Sequence, residues 1–167
     1  MTDRTDGRRR LPGCQTAVAM DPDPARRRPE SVTPAVAARA LAGSFPGDLG
    51  IALTHIDDAV VVGRMRVDRR HLHPGGYVHG GVWVALADTV AAWGTFRHLR
   101  EGHDFTTAEL KANVFAPGRP GDELTATGEP MHVGRRTQTW EVRISNGEKL
   151  AALFVCTQIV LAPRTEG

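Results

Sequence analysis

Cysteine is nearly absent from this chain, with only Cys14 and Cys156 in 167 residues. That excludes a disulfide framework and points to a reducing compartment, the cytoplasm. No apolar run approaches the roughly 18 residues needed to cross a bilayer. The most apolar segment, Gly81 to Trp93, is interrupted by Asp88. No internal repeat is present. The body of the chain also lacks a charge excess. The first thirty residues hold seven arginines against five acids, which accounts for the whole formal charge of +2. A folded surface that neutralises phosphates needs a basic excess of its own, so neither a nucleic-acid-binding domain nor a membrane-bound one is expected.

Residues 1–30 are rich in Arg, Pro and Asp and poor in large apolar side chains, and a disordered tail is predicted for them. Leu11 to Cys14 (LPGC) has the look of a lipoprotein cleavage site, but Arg8, Arg9 and Arg10 stand where an apolar stretch would have to precede it. Secretion and lipidation are therefore not expected, and Met20 is an alternative start. Residues 31–163 are expected to form a single domain, with 164–167 as a short C-terminal tail.

Within that domain, Ser31 to Gly43 carries Thr33 and Pro34 as a helix start, then alanine-rich helix formers and a glycine stop. Ile51 to Ile56 and Ala59 to Val67 read as a hairpin. Gly81 to Trp93 (GVWVALADTVAAW) has one charge and no proline, the pattern of a helix buried nearly all round. Phe105 to Ala116 alternates, which predicts a strand with Thr106, Ala108, Leu110, Ala112, Val114 and Ala116 on a core face and Thr107, Glu109, Lys111 and Asn113 on a polar one. Pro117 to Asp122 is turn chemistry, and a further strand starts at Leu124. Thr137 to Ile144 and Lys149 to Leu161 are joined through Ser145-Asn146-Gly147-Glu148, a hairpin signal. One long helix followed by a run of antiparallel strands implies an α+β layer fold, a sheet wrapped round a helix.

A lone carboxylate on an apolar helix is costly unless it is partnered or used. Gly81 and Asp88 are seven residues apart, roughly two turns at about 3.6 residues each, and so share a face. The helix start around Gly80 and Gly81 presents unpaired N–H groups towards the same side. The residues alone allow a second reading, in which Asp88 is satisfied by a hydroxyl such as Thr89 or Thr107. His71, His73 and His79 invite a zinc reading; no further ligand set accompanies them, and no metal is expected.

The segment His73, Pro74, Gly76, His79, Gly80 and Gly81, with Asp88 nine residues after His79, resembles the hotdog-fold acyl-CoA thioesterases of the PaaI-like branch. Their pattern is roughly N-P-x-G-x-x-H-G-G followed by a helix with an acidic residue. The strands from Thr106 to Pro117 and from His132 to Leu161 look like those of the same family, so the similarity spans roughly Gly50 to Leu161. The family usually has Asn or Gln where this chain has His73. The resemblance implies a hotdog fold, an antiparallel β-sheet around a long central α-helix, and hydrolysis of an acyl-CoA to a carboxylic acid and free coenzyme A.

By the same resemblance Asp88 is the nucleophile or general base, and the Gly80 N–H polarises the thioester carbonyl. His73 holds the thioester or the water, His79 fixes the turn, and Thr107 supplies a hydroxyl near the water. His132, Gly134, Arg135 and Arg136 hold the coenzyme A phosphates, for which guanidinium forks are suited. A homodimer or homotetramer with sites shared between chains is implied, and no cofactor beyond the substrate's own coenzyme A. The alternatives are a non-catalytic acyl-CoA-binding protein and a hotdog hydratase or dehydratase.

Overall fold

Thr33 stops the chain entering the domain and turns it into α1 (Pro34–Leu41), because its side chain accepts the Val36 N–H at 3.3 Å. The computed structural model describes residues 32–163; the tails expected at 1–30 and 164–167, and with them Cys14, lie outside the described residues. A single turn, α2 (Phe45–Asp48), leads into β1 (Ala52–Ile56) and β2 (Val61–Arg66). The β2 strand starts two residues later than its sequence suggests. Asp57 accepts the Ala59 and Val60 N–H groups at 2.8 and 2.7 Å and holds them in the turn. A 3-10 turn at Arg69–His71 then precedes the long helix α3 (Gly80–His98).

The remaining strands are β3 (Asp104–Val114), β4 (Glu123–Val133), β5 (Thr137–Asn146) and β6 (Lys149–Leu161). They join β1 and β2 in one six-stranded sheet of order β1-β2-β4-β5-β6-β3, antiparallel throughout. The sheet wraps round α3, which gives the hotdog architecture that the sequence implied. The β5–β6 hairpin closes through Gly147 and Glu148. Gly147 takes φ +58, the left-handed conformation that a two-residue hairpin turn requires and glycine adopts without strain.

The core is the space between helix and sheet. From α3 come Trp83, Leu86 and Val90, and from the sheet Met65, Leu124, Trp140, Ile144 and Phe154, all at most 1% exposed. Burying each of these large side chains contributes roughly 1.5–3 kcal/mol before entropy is charged. Contact is closest at Val90, whose two methyls rest against Gly63 on β2 and Gly128 on β4, where a Cβ would collide. The helix runs past Trp93 to His98 because the apolar side chains continue through Phe96. Arg97 and His98 then tie its end to Asp58, by Arg97 Nε to Oδ1 at 2.7 Å and a His98 Nε2 contact to the carbonyl at 3.0 Å. Basic side chains there also suit the negative end of the helix.

The strand β3 corrects the reading of strict alternation. The register shifts between Thr107 and Glu109, which pair with Gln158 and Thr157, so Ala108 is an extra residue on the β3 side. Such a bulge reverses which letters of the pattern face inward. Phe105, edge-on to Phe96 of the helix at 4.7 Å, and Thr107 face α3 before the bulge. Leu110, packed against the core, faces it after. Thr107 and Leu110 were expected on opposite faces, and they share one. Nor does β3 have a fully covered core face: it is an edge strand bonded only to β6, and Val114 and Phe115 at its end are 47% and 59% exposed.

Candidate active site

The turn that enters α3 is built on a buried histidine. His71, 1% exposed, accepts the Asp68 N–H at its Nδ1 at 2.8 Å. Its proton therefore sits on Nε2, which donates to the Leu49 carbonyl at 2.9 Å. The His71 carbonyl accepts the His79 N–H at 2.8 Å, so one residue ties the loop after α2, the 3-10 turn and the helix start together. Between His71 and His79 the chain folds back on itself. Tyr77 accepts the His73 N–H at 2.9 Å, the His73 carbonyl accepts the Gly76 N–H at 2.9 Å, and His73 Nδ1 accepts the Gly75 N–H at 2.9 Å. His73 then faces an open cleft bounded by Tyr77, Trp83 and the residues Val114 to Pro117 at the end of β3.

His79 is the N-cap of α3, its Nδ1 accepting the Gly81 N–H at 2.9 Å. A cap of this kind satisfies one of the first N–H groups of a helix. The Val82 N–H goes to the His79 carbonyl. The Gly80 N–H is left without an acceptor among the described residues, on an exposed residue at the positive end of the helix. Glycine at 80 and 81 keeps side chains away from that N–H.

From this start a stripe of incompletely covered residues runs along α3: Gly81, Val84, Asp88 and Ala92. Every other position between Val82 and Thr95 is buried. Asp88 sits two turns into the stripe and accepts a hydrogen bond from Thr107 Oγ1 on β3 at 2.9 Å. Thr89, the other hydroxyl considered as its partner, donates instead to the Ala85 carbonyl at 2.7 Å. The strand bulge at Ala108 is what turns Thr107 inward to meet the helix. Beneath Asp88 lies Cys156, a buried free thiol. Burial pushes it up to about 11; a weak contact from Gln158 opposes this, and the charges of Asp88 and Glu109 add to it.

The structure thus brings together Asp88 and Thr107, and places the Gly80 N–H at the start of the same helix, with His79 as its cap, roughly 12 Å from Asp88 along the axis. His73 lines the neighbouring cleft. The proposed phosphate ligands stand apart. His132, Gly134, Arg135 and Arg136 form the end of β4 and the β4–β5 turn, closed by Gly134 N–H to the Thr137 carbonyl at 2.9 Å. That turn reaches β6, the neighbour of β3, through the Val160 N–H donated to the Arg136 carbonyl at 2.9 Å. It lies beside His98 at the far end of α3, roughly 15 Å along the helix from Asp88. Arg135 and Arg136 are exposed, and no carboxylate lies within ion-pair reach of either among the described residues. Among the described residues no three His, Cys, Asp or Glu side chains gather as metal ligands, and no helix is long and apolar enough to cross a membrane.

Two features escaped the sequence reading. Tyr77 stands at the cleft mouth with the Arg119 guanidinium 5.2 Å from its ring centroid, a cation–π contact between residues 42 positions apart. Gln138 and Gln158 lie fully buried on the inner face. The only signal for Gln158 was a polar letter in phase with the inward-facing Phe154 and Cys156.

Comparison with known proteins agrees with this geometry. The pattern of the thioesterase superfamily matches residues 75–152, which holds the turn from Gly75 onward, α3, Asp88 and Thr107. The chain is 33% identical over 117 residues to a 1,4-dihydroxy-2-naphthoyl-CoA hydrolase of Listeria monocytogenes, covering 70% of this chain and 94% of that one. A thioesterase from Haemophilus influenzae superposes with a TM-score of 0.75 at 30% identity, over 80% of this chain and 94% of the other. The PaaI protein of the Escherichia coli phenylacetic acid degradation operon does so with a TM-score of 0.66 at 28% identity, over 78% and 91%. This chain belongs to the thioesterase superfamily, in its PaaI-like branch. It is a thioester hydrolase.

Proposed function

We propose that the chain hydrolyses an acyl-CoA to a carboxylic acid and free coenzyme A, with Asp88 as nucleophile or general base. The observation that carries this reading is the Thr107–Asp88 hydrogen bond on the half-open helix stripe that begins at the unpaired Gly80 N–H. Within one chain Gly80 and Asp88 are eight residues apart on α3, roughly 12 Å at about 1.5 Å per residue, so the site is read as shared between two copies. A carbonyl oxygen directed at the Gly80 N–H of one copy meets a donor backed by the helix dipole, and its carbon is open to attack from Asp88 of the other. As nucleophile, Asp88 adds to the carbonyl carbon, the carbon–sulfur bond breaks and coenzyme A leaves as thiolate; water then opens the mixed anhydride. As base, Asp88 takes a proton from water while the oxygen attacks the same carbon. Thr107, donating to one carboxylate oxygen, leaves the other for the reaction.

His79 in this reading is the cap that fixes the turn, and His73 positions the thioester at the cleft. The cleft holds about 340 Å³, in the range of small-molecule sites and enough for an aryl or a medium-chain acyl group. Arg135 and Arg136, exposed and unpaired, with His132 and Gly134 shaping their turn, would bind the phosphates of the coenzyme. No cofactor enters the reaction. The uncovered stripe of α3 and the free edge of β3 favour a homodimer or homotetramer in which a second copy completes the site, since an exposed strand edge is a template for pairing. The buried, unpaired thiol of Cys156 is compatible with a reducing, cytoplasmic setting.

The test is thiol release across a panel of aryl- and alkyl-coenzyme A esters, with binding of each followed by calorimetry. Release from some esters is expected. Esters that bind but release no thiol would make the chain an acyl-CoA-binding protein instead. A single turnover in heavy-oxygen water tests the nucleophilic role of Asp88: label enters its carboxylate only if an anhydride forms and water opens it at the Asp88 carbonyl, whereas the base route labels the product acid alone.

A further inference from the structure

Three polar side chains stand side by side on the inner face of the sheet. Thr107 on β3 is the register partner of Gln158 on β6, and Gln158 is that of Gln138 on β5. Such partners place their Cβ atoms about 4.5–5.5 Å apart on one face. Gln158 and Gln138 are 0% and 1% exposed, and the Oε1 of each has no hydrogen-bond partner among the described residues. The Gln158 amide nitrogen reaches only the Cys156 sulfur, at 3.6 Å. Thr95 Oγ1 and Trp140 Nε1 are buried and unpartnered as well. Thr95 lies seven residues beyond Asp88, about two turns along the same face of α3. Trp140 is two residues from Gln138 and so on the same face of β5.

Buried amide oxygens without a donor are rare because the lost hydration is not replaced. Two of them in adjacent register, with a hydroxyl and an indole N–H nearby, match the setting in which internal water is retained, each water bonding two to four otherwise unsatisfied groups. The row also has informative ends. Gln138 borders a small cavity with His98, His103 and Arg135. At the other end Thr107 donates its only proton to Asp88, which leaves its oxygen lone pairs to accept from a donor behind it.

We infer that Gln138 and Gln158 bind internal water beneath α3, and that the water at Gln158 donates one hydrogen to its Oε1 and the other to Thr107 Oγ1. This holds the Thr107 proton on Asp88. Gln158 is a positioning residue that acts on the carboxylate through Thr107. The effect on turnover rests on the role of Asp88 proposed above; the water site does not.

Crystal structures of the full chain and of Gln158→Met, at a resolution that resolves ordered water, test both parts without reference to activity. Density for water between Gln158 and Thr107 is expected in the wild type. In Gln158→Met, which keeps the length of the side chain without its amide, that water should be lost and the Thr107 hydroxyl should turn from Asp88. A dry wild-type site, or an unaltered Thr107–Asp88 bond in the variant, overturns the inference. The wild-type map alone decides the water if the variant does not fold. Kinetics supply the functional arm: kcat should fall about tenfold with KM within about twofold, and Gln158→Met added to Thr107→Val should cost nothing further. An unchanged kcat in a folded Gln158→Met protein, or additive losses in the double variant, removes the positioning role. A wild type that releases no thiol at all would overturn the proposed function while leaving the crystallographic test intact.

Discussion

The indole of Trp140 on β5 lies flat over Gly94 of α3, three of its ring carbons occupying the space that a Cβ at position 94 would need. Helix and sheet therefore meet at backbone distance one and a half turns beyond Asp88, and this contact helps set the height of the carboxylate above the strands. Gly94→Ala forces either the ring or the helix to move. Overpacking of this kind costs about 1–3 kcal/mol, read as a lower midpoint in urea at fixed protomer concentration. An unchanged midpoint would mean that the helix is free to shift.

Replacing His79 separates a cap from a proton carrier. Its Nδ1 accepts the Gly81 N–H, a task that Asn performs and Ala does not. His79→Ala should lose about 1 kcal/mol of stability, whereas His79→Asn should keep most of it and stay within a few-fold of wild-type turnover. A folded His79→Asn protein with turnover reduced by orders of magnitude would give the imidazole a chemical role.

His73 occupies the place where the family usually has an amide. His73→Asn should keep or raise kcat/KM if the side chain only holds the thioester. A collapse, with the fold intact by circular dichroism, would assign His73 a specific chemical part.

Alkaline pH should destabilise the fold through Cys156. Its thiol is raised from 9.0 to about 11, first by burial. Below pH 9 folded and unfolded chains both hold the proton and this penalty is absent. Between pH 9 and 11 the unfolded chain has lost it while the folded one keeps it, so stability falls as pH rises. The difference in unfolding free energy between wild type and Cys156→Ala, followed across that window, should shrink with rising pH; a constant difference would show that the thiol titrates normally. At neutral pH the protonated, buried sulfur should also resist alkylation until the chain unfolds.

Much of this architecture was legible from the letters. A run of apolar residues with one acid could only be a helix covered on most sides. The histidine-glycine-glycine turn marked its start, and Asn146-Gly147 marked the last hairpin. What was not legible depends on contacts distant in sequence. The bulge at Ala108 leaves the alternation of β3 undisturbed on paper while turning Thr107 from the outer to the inner face. The placement of β3 at the far edge, beside β6 and not β2, follows from strand pairing that no local pattern encodes. Gln138 and Gln158 read as ordinary strand residues until their register put them beside Thr107. Asp88 and Gly81 were legible as a pair because a helix carries its own geometry and brings residues seven apart onto one face.

Everything proposed for the chemistry passes through one carboxylate, so the most direct measurement compares wild type and Asp88→Asn for thiol release on an ester that both bind. The amide keeps the size of the side chain and an oxygen for Thr107, and the fold should be unchanged by circular dichroism. Turnover should drop by about two to four orders of magnitude if Asp88 is nucleophile or base. Turnover equal to wild type in a folded, substrate-binding Asp88→Asn protein would contradict the assignment of the reaction to Asp88.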